Sequence, residues 1–158
     1  MMGKSNFFKS YILFVLAGLL IACNPDRIFE DYQGMETLQW AISDTVTFEL
    51  DPEKTEQVLP TIGIRYNDQY EYHNLYVKFL MTDSLGVSLQ DSLINIELFD
   101  SKTGEPLGEG FGNVFTKYDT LPFGNLDENR FVRIHFLQYM RKEQIDGIEA
   151  VGLKIVHK

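Results

Sequence analysis

Leu75-Tyr76-Val77-Lys78-Phe79-Leu80-Met81 puts an apolar side chain at positions 75, 77, 79 and 81, the period of a strand with one face in a core and the other nearer water. The same alternation recurs upstream at Val46, Phe48 and Leu50 and at Ile62, Ile64 and Tyr66. Downstream it returns at Ile94, Ile96 and Leu98, at Val132, Ile134 and Phe136, and at Val151, Leu153 and Ile155. Weaker strands are expected at Thr37 to Ile42 and at Val114 to Leu121, and the 3.6-residue period of helices has little support. Turn formers separate the runs: Asp51-Pro52, Asn67-Asp68, Ser84-Leu85-Gly86, the Asp100 to Glu105 segment with Gly104, and Phe123-Gly124-Asn125.

Seven to eight strands with polar outer faces cannot bury their apolar sides in one sheet. The expected fold is therefore all-β, an antiparallel β-sandwich of Ig-like or jelly-roll-like type. Leu137 to Gly147 breaks the alternation, and Gln138-Tyr139-Met140-Arg141-Lys142 is expected to form a short helical turn before the last strand. The sandwich is assigned to residues 35–158 as a single domain.

The start of the chain has a different character. Lys4 and Lys9 precede an apolar run from Tyr11 to Ile21, which fits a secretory signal and is shorter than the roughly 18–20 residues that span a bilayer as a helix. The run ends in Leu20-Ile21-Ala22-Cys23, which resembles a bacterial lipobox, and Cys23 is the only cysteine. Residues 1–22 are read as a lipoprotein signal peptide, with diacylglycerol and a palmitate-type acyl chain carried on Cys23. Multiple acyl chains, at about 0.8 kcal/mol per buried methylene, hold a protein on a membrane almost irreversibly. Residues 23–34 are expected to serve as a polar tether to the domain. Lys4 and Lys9 leave with the signal, taking the formal net charge from −9 to −11, which disfavours nucleic acid and anionic lipid as partners.

Little in the chain suggests catalysis. His73, His135 and His157 are far apart, without metal-ligand spacing, and a cysteine committed to lipid cannot also attack a substrate. Gly108-Glu109-Gly110-Phe111-Gly112 carries an acid and no following lysine, so it reads as a glycine bend between strands and not as a phosphate loop. Asp127-Glu128-Asn129 lacks the ordered spacing of a calcium loop and reads as a solvated turn. A non-enzymatic protein without metal or cofactor is expected.

Tyr66, Tyr70, Tyr72 and Tyr76 flank the polar segment from Asn67 to Asn74. They either form a recognition surface or cap the end of the sandwich with hydroxyls in water. Tyr70, Tyr72, Tyr76, Met140 and Arg141 are the candidate partner-contact residues. Four Asp-hydroxyl-apolar triplets, centred on Thr45, Ser84, Ser92 and Thr120, are similar to the O-glycosylation sequon of exported Bacteroidetes proteins, although Asp before Thr or Ser also leads turns into strands.

Ile62-Gly63-Ile64-Arg65-Tyr66-Asn67 with Tyr70-Glu71-Tyr72-His73-Asn74-Leu75-Tyr76, then Leu107 to Gly112, then Gln138-Tyr139-Met140-Arg141 and Ile145 to Leu153, together resemble the GldH gliding motility lipoproteins of Bacteroidetes. The resemblance covers nearly the whole chain after Cys23. It implies an envelope lipoprotein of the gliding apparatus, functionally linked to type IX secretion, whose partners are other envelope lipoproteins or outer-membrane proteins, and it brings no catalytic residues. Asn24-Pro25-Asp26-Arg27 lacks the strong acidic run associated with surface export in that phylum, which points to the periplasmic face of the outer membrane. The alternative is a glycan-binding lipoprotein of the β-sandwich type.

Overall fold

Leu75, Val77, Phe79 and Met81 are all buried, whereas Tyr76, Lys78 and Leu80 between them are exposed or half-buried. This stretch belongs to strand β5 of a computed structural model that describes residues 27–50, 58–122 and 131–157. The strands in chain order are β1 (Arg27–Gly34), β2 (Gln39–Ala41), β3 (Val46–Leu50), β4 (Val58–Asn67), β5 (Asn74–Asp83) and β6 (Ser88–Glu97). They continue as β7 (Glu109–Phe111), β8 (Val114–Thr120), β9 (Val132–Gln138), β10 (Gln144–Asp146) and β11 (Ile148–His157).

Two antiparallel sheets pack into a sandwich. One has the order β3-β9-β5-β6 and the other β1-β11-β4-β8-β7, while β10 and β2 form a separate two-stranded ribbon. Their inner faces meet in a single core that includes Phe48, Ile62, Ile64, Phe79, Phe136, Val151 and Leu153. Phe136 lies at the centre of the aromatic packing, with ring centroids 6.2 Å from Phe48 and 6.0 Å from Phe79. Phe29 of β1 stands edge-on to Phe48 of β3 at 6.4 Å, tying the sheets together. Such offset or edge geometry suits the aromatic quadrupole.

The registers define two ends. At one, Arg27 faces Val156, Val58 faces His157, Leu50 and Asp83 both face Val132, and Thr82 faces Ser88. At the other, Gly34 faces Ala150, Asn67 faces Val114, Asn74 faces Glu97 and Val77 faces Gln138. The ribbon belongs to the second end, where the Gly147 amide donates to Leu38 O at 2.9 Å and Trp40 is wholly buried.

Two expectations are corrected. Arg27–Gly34, assigned to the tether, is strand β1: its backbone pairs with β11, Phe29 packs on the core, and the Gln33 side-chain amide donates to Thr47 O at 2.6 Å. Charges on an edge strand had given it the composition of a linker. The helical turn before the last strand does not form, and none of the described residues is helical. Buried Gln138 shapes that turn instead, donating from Nε2 to Lys142 O and accepting from the Met140 amide at Oε1, both at 2.8 Å. Three short or edge strands, β1, β7 and β10, exceed the expected seven to eight. Cys23, the signal, Asp51-Pro52, Phe123-Gly124-Asn125 and Asp127-Glu128-Asn129 lie outside the described residues.

Candidate functional site

β5 begins where the β4–β5 connection ends, and the chain leaving β9 passes alongside it. The Tyr139 amide donates to Tyr76 O at 2.8 Å, and Met140 Sδ accepts from the Tyr76 amide at 3.3 Å. Between them opens a groove of about 600 Å³ lined by Tyr72, Tyr76, Leu93, Tyr139, Met140, Arg141 and Lys142. That volume falls within the range of small-molecule or side-chain pockets. Two segments more than sixty positions apart in sequence thus share one concave surface.

Tyr72, Tyr76, Met140 and Arg141 are brought together in it. Tyr70 is not: it is only 4 % exposed, donates its hydroxyl to Asn74 O at 2.8 Å and lies edge-on beneath Tyr72 at 5.8 Å. Burial pushes its phenol above the ordinary value, with Tyr72 adding a smaller effect in the same direction. Gly147 explains how Tyr70 comes so deep. Its φ is +77°, and a Cβ there would collide with the backbone of Gln69 and Tyr70, so only glycine lets these segments approach. Asn67 adds two ties, its amide donating to Gly147 O at 2.9 Å and its side chain to Glu149 Oε1 at 3.0 Å.

Lys142 closes one side of the groove. Its ammonium is 2.6 Å from Glu71 Oε2 and 5.4 Å from the centre of the Tyr72 ring. The hydrogen bond to Glu71 first, and Tyr72 second, hold its pKa above the ordinary lysine value. Leu93 and Tyr139 were not among the candidates, yet they are 55 % and 57 % exposed within this groove. The signal for Leu93 was the adjacent pair Leu93-Ile94: on a strand, one of two neighbouring apolar residues must face outward.

A second tyrosine cluster covers the outer face of the five-stranded sheet. Gly152 of β11 pairs with Gly63 of β4, and Tyr32 and Tyr118 flank them on β1 and β8. The Tyr32 ring lies over both glycines, so that a Cβ on Gly152 would meet its Cδ1 and Cε1 at 2.5 Å. Tyr32 donates to Tyr118 Oη at 2.9 Å, and Tyr118 donates to Glu30 Oε1 at 3.1 Å. Arg65 stacks over Tyr32 at 5.1 Å and Lys154 over Tyr118 at 4.8 Å. Desolvation first, then the bond to Tyr118, raises the Tyr32 phenol well above its usual range.

Among the remaining singled-out residues, His135 sits between Thr47 and Thr82 at 2.9 and 3.2 Å, and burial, then the Arg133 charge, lowers its pKa. Among the described residues no three of His, Cys, Asp and Glu are grouped to hold a metal. The Gly108 to Gly112 bend carries β7 and turns back at Gly112, whose φ is +70°. Of the triplet hydroxyls, Thr45, Ser84 and Thr120 belong to exposed residues, and Ser92 is half-buried in β6.

The GldH lipoprotein family model matches residues 27–155, from the first described strand almost to the end of the last. The chain belongs to the GldH lipoprotein family. A protein of Christiangramia forsetii named as a gliding motility lipoprotein GldH homolog is 29 % identical over 94 % of both chains. The gliding motility lipoprotein GldH of Flavobacterium johnsoniae is 26 % identical, over 95 % of this chain and 97 % of that one. A solved structure of infectious bursal disease virus Gt strain aligns with 82 % of this chain and 39 % of its own at 9 % identity, with a TM-score of 0.19, too low to bear on the fold. The glycines that let the second cluster and the groove assemble, Gly63, Gly147 and Gly152, all fall within the GldH match.

Proposed function

We propose that this GldH lipoprotein is a non-enzymatic component of the cell envelope, acylated at Cys23 and held on the periplasmic face of the outer membrane. In this reading it serves the gliding apparatus and its linked type IX secretion machinery through protein–protein contacts. The observation that carries the reading is the groove in which Tyr72, Tyr76, Leu93, Tyr139 and Met140 gather beside Arg141 and Lys142. Large aromatic and Met side chains with a cationic rim are the composition of a contact hot spot. Anchoring on a membrane raises effective concentration, so a modest interface suffices.

Photo-crosslinking from position 76 or 139 in intact envelopes tests it. The expected result is a discrete adduct with an envelope protein of the gliding or secretion machinery, lost when Tyr139→Ala is added to the position-76 probe. Absence of any adduct from either position, with the protein folded and present at normal level, would refute the groove as a contact. Retention on immobilised glycans that disappears with the same Tyr139→Ala substitution would move the site to the sugar-binding class. Intact mass of the envelope protein reports whether Thr45, Ser84, Ser92 or Thr120 carries a glycan.

A further inference from the structure

We infer that the sandwich stands end-on, with the end carrying Leu59, Leu85, Val87 and Phe131 against the anchoring bilayer and the tyrosine groove directed away from it. The inference rests on acylation of Cys23. β1 begins at Arg27, four residues beyond Cys23, and even a fully extended chain covers no more than about 14 Å in that distance. Ten-residue strands such as β4 and β11 are about 33 Å long. The Arg27 end is therefore held within a fraction of the domain's own length of the lipid.

Tether length alone would also let the domain lie on its side. Exposed apolar side chains lie at both ends, Phe111, Ile42 and Leu38 among those at the far one, and only those at the tethered end are within reach of the lipid, where they favour the end-on pose. Leu85 is 86 % exposed and Val87 57 %, and Leu59 and Phe131 are exposed as well. All four sit at the Arg27 end: Leu59 and Arg27 share Val156 as register partner, Phe131 precedes Val132, and Leu85 and Val87 follow Asp83, the partner of Val132. Residues 84–90 read Ser-Leu-Gly-Val-Ser-Leu-Gln, a stretch without charge in an acidic chain. The tip is built stiffly, because Asp83 Oδ1 accepts from the Leu85 and Val87 amides at 2.9 Å each and Gly86 takes a φ of +80°. That carboxylate is turned inward onto amides, leaving the leucine outermost. An ordered, uncharged apolar tip beside a lipid tether is suited to the headgroup–acyl boundary, and with so acidic a chain the attraction is apolar and not electrostatic. The groove opens at the opposite end, where Tyr72 and Tyr139 to Lys142 lie beyond Asn74 and Gln138, and it runs from there alongside β5 as far as Tyr76 and Leu93.

The test uses the full-length acylated protein in phosphatidylcholine vesicles containing headgroup-nitroxide lipid. Because acylation occupies Cys23, a single new cysteine carries the fluorophore, in Ser88→Cys for the near end and Glu105→Cys for the far end. Quenching at position 88 is expected to exceed that at 105 by at least about threefold, and Leu85→Ser with Val87→Ser is expected to weaken it. Equal quenching at the two positions, stronger quenching at 105, or no change on removing the two apolar side chains overturns the orientation. A glycan on Ser84 in the native protein overturns it too, since a sugar there would hold the turn off the lipid. An unacylated N-terminal peptide in the same preparation overturns the anchor itself, which separates that failure from a wrong orientation on a sound anchor.

Discussion

Tyr32 and Tyr118 on the five-stranded sheet, and Tyr76 and Tyr139 beside the four-stranded one, are of the same residue type and partly exposed, yet they are used in opposite ways. The first pair spends its hydroxyls on each other and on Glu30, lays a ring on Gly63 and Gly152, and takes Arg65 and Lys154 as lids. In the second pair, among the described residues, neither hydroxyl makes a hydrogen bond and neither ring stacks on another, and both border a cavity. Tyrosine-rich surface is thus no sign of a binding site until one asks which rings are already occupied. The closed cluster belongs to stability, and the open one keeps its rings available for the contact proposed above.

Substitutions can break or sharpen that contrast, and the glycine under the groove is expected to do most. Gly147→Ala forces a Cβ against the Gln69–Tyr70 backbone at positive φ, with an expected loss of about 3 kcal/mol in urea unfolding. Gly152→Val drives a branched side chain into the Tyr32 ring. It should cost about 1–3 kcal/mol and remove the Tyr32–Tyr118 hydrogen bond, with the ring environment followed by NMR. If it proves neutral, the closed cluster is not a stabilising one.

Tyr32→Phe removes one hydroxyl and is expected to cost about 0.5–1 kcal/mol near neutral pH. Folding raises this phenol above its reference value of 10.0 by favouring the neutral form. Its contribution is therefore complete below that pH and is lost as the pH climbs beyond it. Urea midpoints measured across the alkaline range should fall less steeply for the Phe variant than for the parent. Tyr139→Ala should be the mildest, within about 0.5 kcal/mol in stability, while abolishing the groove crosslink. A large stability loss there would erase the distinction between the clusters.

The alternating strands were legible because one face of each sheet is wet. β9 is the clearest case, buried at every second residue from Val132 through Gln138. β1 was not legible, since an edge strand carrying Glu30, Asp31 and Gln33 has the composition of a linker. β7 and β10 have three residues each, too few to display a period. At the site, composition could nominate the Tyr70–Tyr76 segment and Met140 with Arg141, but it could not say which rings point in. The β4–β5 connection has no strand period to orient them, and Tyr70 is drawn under by a glycine far along the chain. Leu93 enters the groove through its place in the β5–β6 register, opposite Lys78, which spacing in one dimension cannot display.

β11 is the last strand formed by the chain and yet lies between β1 and β4. For a polypeptide threaded through a membrane N-terminus first, the opening strand has no neighbour until the closing one has emerged. The leading half of such a chain crosses with its seams unzipped, and β11 is the fastener that completes the five-stranded sheet. Clipping β11 would strip β1 of its one partner in the sheet and β4 of one of its two, so a late strand decides whether an early one stays folded.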